Sequence, residues 1–125
     1  MNGNRILVDS NIILYLLKGN KYIADILQNR QIHLSFITEL EILSYTKLLA
    51  DEISIINDFL SSCIITDIND EIKSNTVYFR TKYNLNLPDA IIGATAEYLE
   101  LPLITSDKHF QKVKELTILF IEPNA

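Results

Sequence analysis

The sequence predicts an α/β fold with a central parallel sheet of four to five strands. Short aliphatic runs alternate with amphipathic stretches from end to end, the pattern of a parallel α/β sheet. The chain has 125 residues, room for one domain with one real hydrophobic core, and 48% of them are apolar, as in a globular protein. Repeats, linkers and low-complexity tracts are lacking, so residues 1–125 are read as one domain.

The elements follow in order. Ile6-Leu7-Val8 is a short buried strand, and Ser10 to Lys18 is a mostly apolar helix broken by Gly19-Asn20. Lys21 to Asn29 carries Ile23, Ile26 and Leu27 on one helical face. Ile32 to Ile37 is a second strand. Glu39 to Ala50 reads as a helix with Leu40, Leu43 and Leu48 facing inward, followed by a helix over Asp51 to Leu60. Cys63 to Thr66 is a third strand. Glu71 to Tyr83 and Asp89 to Glu100 are helices separated by the break Asn84-Leu85-Asn86-Leu87-Pro88. Leu103 to Thr105 is a fourth strand, Lys108 to Lys114 a short helix, and Thr117 to Ile121 a final strand.

Bulk properties exclude several classes. No apolar run approaches the ~20 residues that span a bilayer. Met1 to Arg5 holds one Arg, and the apolar stretch after it is interrupted by Asp9, Ser10 and Asn11, unlike a secretory signal. Cys63 is the only cysteine, which rules out an intrachain disulfide and reads as a small buried hydrophobe in a reducing compartment. The net charge of −5 and a pI near 4.9 repel nucleic acid at long range. A nucleic-acid substrate would therefore need a local basic rim or bound divalent cations that reverse the sign of the site. The same acidity favours a basic protein partner.

The carboxylates fall where such sheets place their sites, beyond the carboxyl ends of the strands. Asp9 directly follows Ile6-Leu7-Val8, and Asp107 follows Leu103-Ile104-Thr105-Ser106. Glu41 is expected in the first turn of the helix after the second strand. Asp89 opens a helix that leads into the strand delivering Asp107. Each has a structural alternative. Asp9 or Ser10 could cap the helix after the first strand and Asp107 the helix after it, Thr38-x-x-Glu41 has capping-box spacing, and an acid after Pro88 suits a helix start. Their conjunction argues for more. Asp89 shares a face with Ile92, Gly93 and Ala96, and a carboxylate aimed into a packed face costs several kcal/mol unless compensated. Converging carboxylates also raise one another's pKa values. A hard divalent cation relieves both penalties and supports metal-assisted phosphodiester hydrolysis. A Cys/His cluster of the kind that binds zinc is lacking.

Four segments then carry a resemblance: Ile6-Leu7-Val8-Asp9-Ser10-Asn11, Ile37-Thr38-Glu39-Leu40-Glu41, Leu87-Pro88-Asp89-Ala90-Ile91-Ile92-Gly93-Ala94-Thr95-Ala96 and Ile104-Thr105-Ser106-Asp107-Lys108-His109-Phe110. In order and spacing the chain resembles PIN-domain nucleases, nearest to the small VapC-type toxins of bacterial toxin–antitoxin pairs. The first segment alone is weak; the third and fourth together are specific. The resemblance implies a three-layer α/β/α PIN-like domain and a cytoplasmic, Mg²⁺- or Mn²⁺-dependent endoribonuclease. It also implies a homodimer, inhibited by a cognate antitoxin that is basic and DNA-binding. Asp9, Glu41, Asp89 and Asp107 match the family's acidic quartet, with Asp9, Asp89 and Asp107 as metal ligands. Asn11 and Ser106 match polar positions beside the first and last acids. Glu39 stands two residues before Glu41, and Ile42-Leu43-Ser44-Tyr45 favours Glu41, although the family often carries Gly at the position of Tyr45.

Arg80, Lys82, Lys108, His109 and Lys112 flank the third and fourth segments and are candidates for a phosphate-binding rim, with Arg80, Lys82 and Lys108 foremost. Their alternative is a solvated charged face, and His109 beside Phe110 has a structural alternative to a general-base role. Other readings are a non-toxin PIN-fold nuclease, a catalytically silent RNA-binding module and, more distantly, a receiver-like signalling domain. A receiver would use Asp67 as its phospho-acceptor. It would also need an acidic pair after the first strand, where Asp9-Ser10-Asn11 offers one acid, and a Lys ending the last strand, where Phe120-Ile121-Glu122 stands. A haloacid-dehalogenase-type phosphatase would want Asp in place of Asn11.

Overall fold

A computed structural model of the chain describes residues 4–45 and 49–123. Five strands, β1 (Arg5–Val8), β2 (Gln31–Ser35), β3 (Ile64–Thr66), β4 (Leu103–Thr105) and β5 (Ile118–Phe120), form one sheet in the order β3-β2-β1-β4-β5. Every pairing is parallel, with Leu7 opposite both His33 and Leu103. Between them run α1 (Ser10–Leu17), α2 (Lys21–Leu27), α3 (Phe36–Leu43), α4 (Ala50–Ser61), α5 (Asp70–Tyr83) and α6 (Leu87–Leu99), with a 3-10 helix at Lys108–Lys112. Among the described residues no helix is long and apolar enough to cross a membrane.

Strand alternation explains the layers. Ile6 and Val8 point to one face and join Ile12, Ile13, Ile23, Leu27, Ile56 and Leu60 from α1, α2 and α4. Leu7, between them, points to the other face and meets Leu103, Phe110, and Ile92 and Ala96 of α6. A strand covered on both sides has no polar face to show, which is why β1 reads as an unbroken apolar run. Helix α5 packs outside α6 through Ile72, Phe79, Ala90 and Ala94. The result is a three-layer α/β/α arrangement. Residues 90–96 are buried without interruption, so α6 is the most enclosed helix of that layer.

The chain moves outward from β1 to β2 and β3, then returns to the other side of β1 for β4 and β5. The order therefore reverses between β1 and β4, and the crevice of an open α/β sheet lies at the carboxyl ends of such a pair.

Several boundaries differ from the sequence expectation. Strand β2 ends at Ser35, not Ile37, because the Ser35 side chain accepts a hydrogen bond from the Ile37 amide and caps α3. A short apolar run cannot itself distinguish strand from helix, and the cap decides it. With α3 starting at Phe36, Thr38 and Ile42 form its buried stripe. Leu40 and Leu43 then fall on the opposite side, 50% and 44% exposed, and do not face inward; Leu48 lies outside the described residues. Helix α6 begins at Leu87 under an Asn86 cap, two residues before the expected start at Asp89. The segment after Asp107 is a 3-10 turn ending at Lys112. Cys63 lies just before β3, half-buried, and burial raises its thiol pKa, which leaves it an unreactive packing group. Asp67 accepts from the Ile68 amide at 2.7 Å and serves a turn ahead of the Asn69 cap of α5.

Buried in β2, His33 accepts from Arg5 Nε at 3.4 Å through Nε2, while its Nδ1 has no partner among the described residues. Burial first, and the Arg5 guanidinium second, lower its pKa, so it is held neutral.

Gly93, midway along α6, is a test of packing. A Cβ there would meet Leu116 Cδ1 at 3.4 Å, Phe79 Cδ2 at 3.5 Å and Phe110 Cε1 at 3.7 Å, ordinary contact distances. Since Gly costs a helix interior about 1 kcal/mol relative to Ala, Gly93→Ala is expected to raise the unfolding free energy by up to that amount, read as a higher urea midpoint. A lowered midpoint would show that the three-layer packing at α6 is tighter than described.

Candidate active site

The strand-end acids are fixed first by backbone. Asp9 ends β1, and its amide donates to Ile104 O of β4 at 3.0 Å. It is the N-cap of α1, its Oδ1 accepting from the Ser10 amide at 2.8 Å. Its other oxygen, Oδ2, accepts from Thr105 Oγ1 at 2.7 Å across the β1–β4 boundary. The same Thr105 hydroxyl accepts from the Asp107 amide at 2.9 Å. One fully buried hydroxyl thus ties the first acid to the last.

Asp107 caps the 3-10 helix, Oδ1 accepting from the His109 amide at 2.9 Å. The same oxygen lies 2.7 Å from His109 Nδ1. Asp89 sits in the first turn of α6, half-buried where the packed face of that helix opens toward Asp107. Glu41 is in the second turn of α3, one turn later than expected, because the helix starts at Phe36. Its Oε1 accepts from Ser10 Oγ at 2.6 Å, and Ser10 Oγ is also 3.2 Å from Thr38 Oγ1. The Thr38–Glu41 capping box is therefore absent, and Ser10 reaches Glu41, not Glu39. Of the four acids, the two expected as alternatives to be mere caps do cap, and each also turns toward the cluster.

Electrostatics bind the acids into one unit. Asp9 is 4% exposed, and burial raises its pKa, partly offset by the Thr105 and Ser10 hydrogen bonds; the charges of Asp107 and Glu41 raise it further. Asp89 is pushed up to about 7, by burial first and then by the charges of Asp107 and Asp9. Such shifts express carboxylates that resist ionising together.

The donor set fits a hard divalent cation. One ligand atom each from Asp89, Asp107 and His109 lie within 4.8 Å of one another. Asp9 lies outside that tightest set, yet its charge acts on Asp89, and the charge of Asp107 acts on it. Buried and half-buried carboxylates that repel one another are the groups a divalent cation would relieve.

The remaining expected residues are dispersed. Among the described residues, neither the Asn11 nor the Ser106 side chain hydrogen-bonds an acid, and Asn11 is exposed. The hydroxyls that orient the acids are their neighbours Ser10 and Thr105, which the sequence reading passed over. A Thr at the end of the otherwise apolar run Leu103-Ile104-Thr105, fully buried, was the available signal. Lys82 is engaged elsewhere, its Nζ 2.9 Å from Tyr78 Oη and 3.2 Å from Glu115 Oε2. Arg80 and Lys108 are exposed and form no ion pair among the described residues.

Comparison with known proteins shows the family and the fold. The family model for the PIN domain matches residues 6–116. A chain from a toxin–antitoxin complex of Klebsiella pneumoniae superposes with a TM-score of 0.81 at 31% identity, covering 94% of this chain and 97% of that one. A chain of VapBC2 from Rickettsia felis, bound to a DNA fragment from the promoter, gives 0.82 at 21% identity over 94% and 99% of the two chains. DNA-bound VapBC from Salmonella typhimurium gives 0.78 at 19% identity over 93% and 97%. The last two bear on fold alone. No curated protein sequence matches.

Asp89 gives the site a stability signature. Between about pH 4, where an unfolded Asp ionises, and about 7, the folded protein holds a proton the unfolded chain has released. Folding stability through this group therefore falls as pH rises across that window, and the penalty is complete above it. In EDTA, Asp89→Asn is expected to be more stable than wild type at pH 8, the advantage shrinking toward pH 4. His33 has a lowered pKa and the opposite slope, and it cancels in the comparison. Urea denaturation at stepped pH checks this; a pH-independent difference would contradict the crowding of the acids.

Proposed function

The chain belongs to the PIN-domain family, and from that membership we propose that it is a Mg²⁺- or Mn²⁺-dependent endoribonuclease, the toxin of a toxin–antitoxin pair. The observation that carries the proposal is the convergence of Asp9, Glu41, Asp89 and Asp107 on the carboxyl edge of β1 and β4, with Asp89 pushed up to about 7.

In this reading Asp89 and Asp107 hold the cation and Asp9 supplies buried charge that strengthens its binding. The bound ion would neutralise a phosphodiester oxygen and acidify a water. Ser10 orients Glu41, which is exposed at the mouth of the site and takes the proton from the attacking water. Thr105 keeps Asp9 and Asp107 in fixed relation, so the acids are placed before substrate arrives. Arg80 and Lys108, exposed and unpaired among the described residues, serve as phosphate contacts that offset the −5 net charge. Lys82 is a weaker candidate because Glu115 and Tyr78 already occupy it.

The 31% identical chain from a toxin–antitoxin complex supports an antitoxin partner, and the −5 net charge favours a basic one. A recess lined by Leu14, Leu17, Tyr45, Ile55 and Ile56, edged by Lys18 and Glu52, is the surface we assign to that partner. A homodimer is part of the same proposal. The protein works in the cytoplasm in this account.

The purified protein is expected to cleave single-stranded RNA with Mg²⁺ or Mn²⁺ and to be silent in EDTA. Asp9→Asn, which changes charge and hardly volume, is expected to slow cleavage on the order of 100-fold or more with an unchanged circular-dichroism spectrum. Undiminished cleavage in EDTA would contradict the mechanism.

A further inference from the structure

Beside the acids stands a nitrogen donor that the acidic site does not require. His109 is the second residue of the 3-10 helix that Asp107 caps, so the same turn that fixes the carboxylate fixes the imidazole next to it. Its Nδ1 lies 2.7 Å from Asp107 Oδ1, and a ring nitrogen of His109 belongs with an oxygen each of Asp89 and Asp107 to a group of donor atoms lying within 4.8 Å of one another. The other histidine of the chain, His33, is buried in β2 beside Arg5.

Resting on the reading of Asp89 and Asp107 as metal ligands, we infer that His109 is a further ligand of that centre, through Nδ1, and that it biases the site toward Mn²⁺ over Mg²⁺. The distances suit this. With metal–ligand bonds of about 2.1 Å, adjacent ligands of an octahedral ion stand about 3 Å apart and opposite ones about 4.2 Å. The 2.7 Å contact between His109 and Asp107 is close to an adjacent pair, and the remaining separation asks only for small side-chain rotations. The His109 side chain is 74% exposed and can turn without disturbing the core. Phe110, fully buried, anchors the turn from the next position.

The chemistry sets the metal preference. As a ligand, Nδ1 must present its lone pair, so it binds an ion only without a proton. Imidazole suits transition ions, whereas Mg²⁺ favours oxygen ligands and retains its waters. The two oxygen ligands serve either ion, and the nitrogen rewards Mn²⁺ alone. A purely orienting role, with His109 holding Asp107 by a hydrogen bond, would instead favour both ions alike.

The test uses untagged full-length protein, Mn²⁺ and Mg²⁺ as the probes, and no substrate. Electron spin-echo spectroscopy of the Mn²⁺-loaded protein is expected to show ¹⁴N modulation that His109→Gln abolishes. By calorimetry, His109→Gln should lose on the order of 10-fold in Mn²⁺ affinity and little in Mg²⁺ affinity. Mn²⁺ bound without ¹⁴N modulation, or an equal loss for both ions, would overturn the ligand assignment and leave the acidic site standing. Failure of wild type to bind Mn²⁺ would overturn the acidic site and this inference with it.

Discussion

Carboxylates brought to one sheet edge repel one another, and the local architecture exists to hold them there regardless. The Thr105 hydroxyl is the central fixture, donating to Asp9 Oδ2 and accepting from the Asp107 amide. It works because β4 lies directly beside β1, with Val8 paired to Ile104, and that adjacency is the topological reversal of the sheet. Charged acids buried this close would ordinarily take up protons, and Asp9 and Asp89 are both pushed in that direction. The site is thus poised between holding protons and holding a cation.

The same residues do local and chemical work together. Asp9 and Asp107 satisfy the first amides of the helices after them, which any sheet-to-helix transition must arrange. Capping by itself would leave the carboxylates at the surface. Here the caps sit over adjacent strands, so the geometry of a routine helix start also brings two acids together. Helix α6 adds the third from the opposite layer, its residues from Ala90 to Ala96 packed so closely that Asp89 has little freedom. Only Glu41 depends on a side-chain contact to another helix, through Ser10, and it is the acid most open to solvent of those on the motif.

The α/β class, the parallel sheet and the acids at strand ends were legible because each leaves a local mark. Unbroken aliphatic runs mark doubly covered strands, and an acid just beyond such a run marks the carboxyl edge. The α3 register was not legible. The run Ile32 to Ile37 is equally apolar as strand or as helix start, and Ser35 decided it through a cap whose partner is only two residues away. From that shift follow the exposure of Leu40 and Leu43 and the loss of the Thr38–Glu41 capping box. Ser10 and Thr105 were overlooked for a related reason: their role depends on neighbours distant in sequence, Glu41 and Asp9, which no local window contains. His109 was visible as a residue but not as a donor, since the 3-10 turn that aims its Nδ1 at Asp107 has no distinct periodicity.

In the proposed function a divalent cation would resolve the crowding without neutralising the chemistry, and its binding would displace the protons the acids hold. Calorimetry of Mn²⁺ binding in buffers of different ionisation enthalpy measures that displacement directly. With Asp89 pushed up to about 7, binding at pH 7 is expected to release on the order of half a proton or more per ion, falling toward none by pH 9. Tight binding near neutral pH with no proton released would contradict the account.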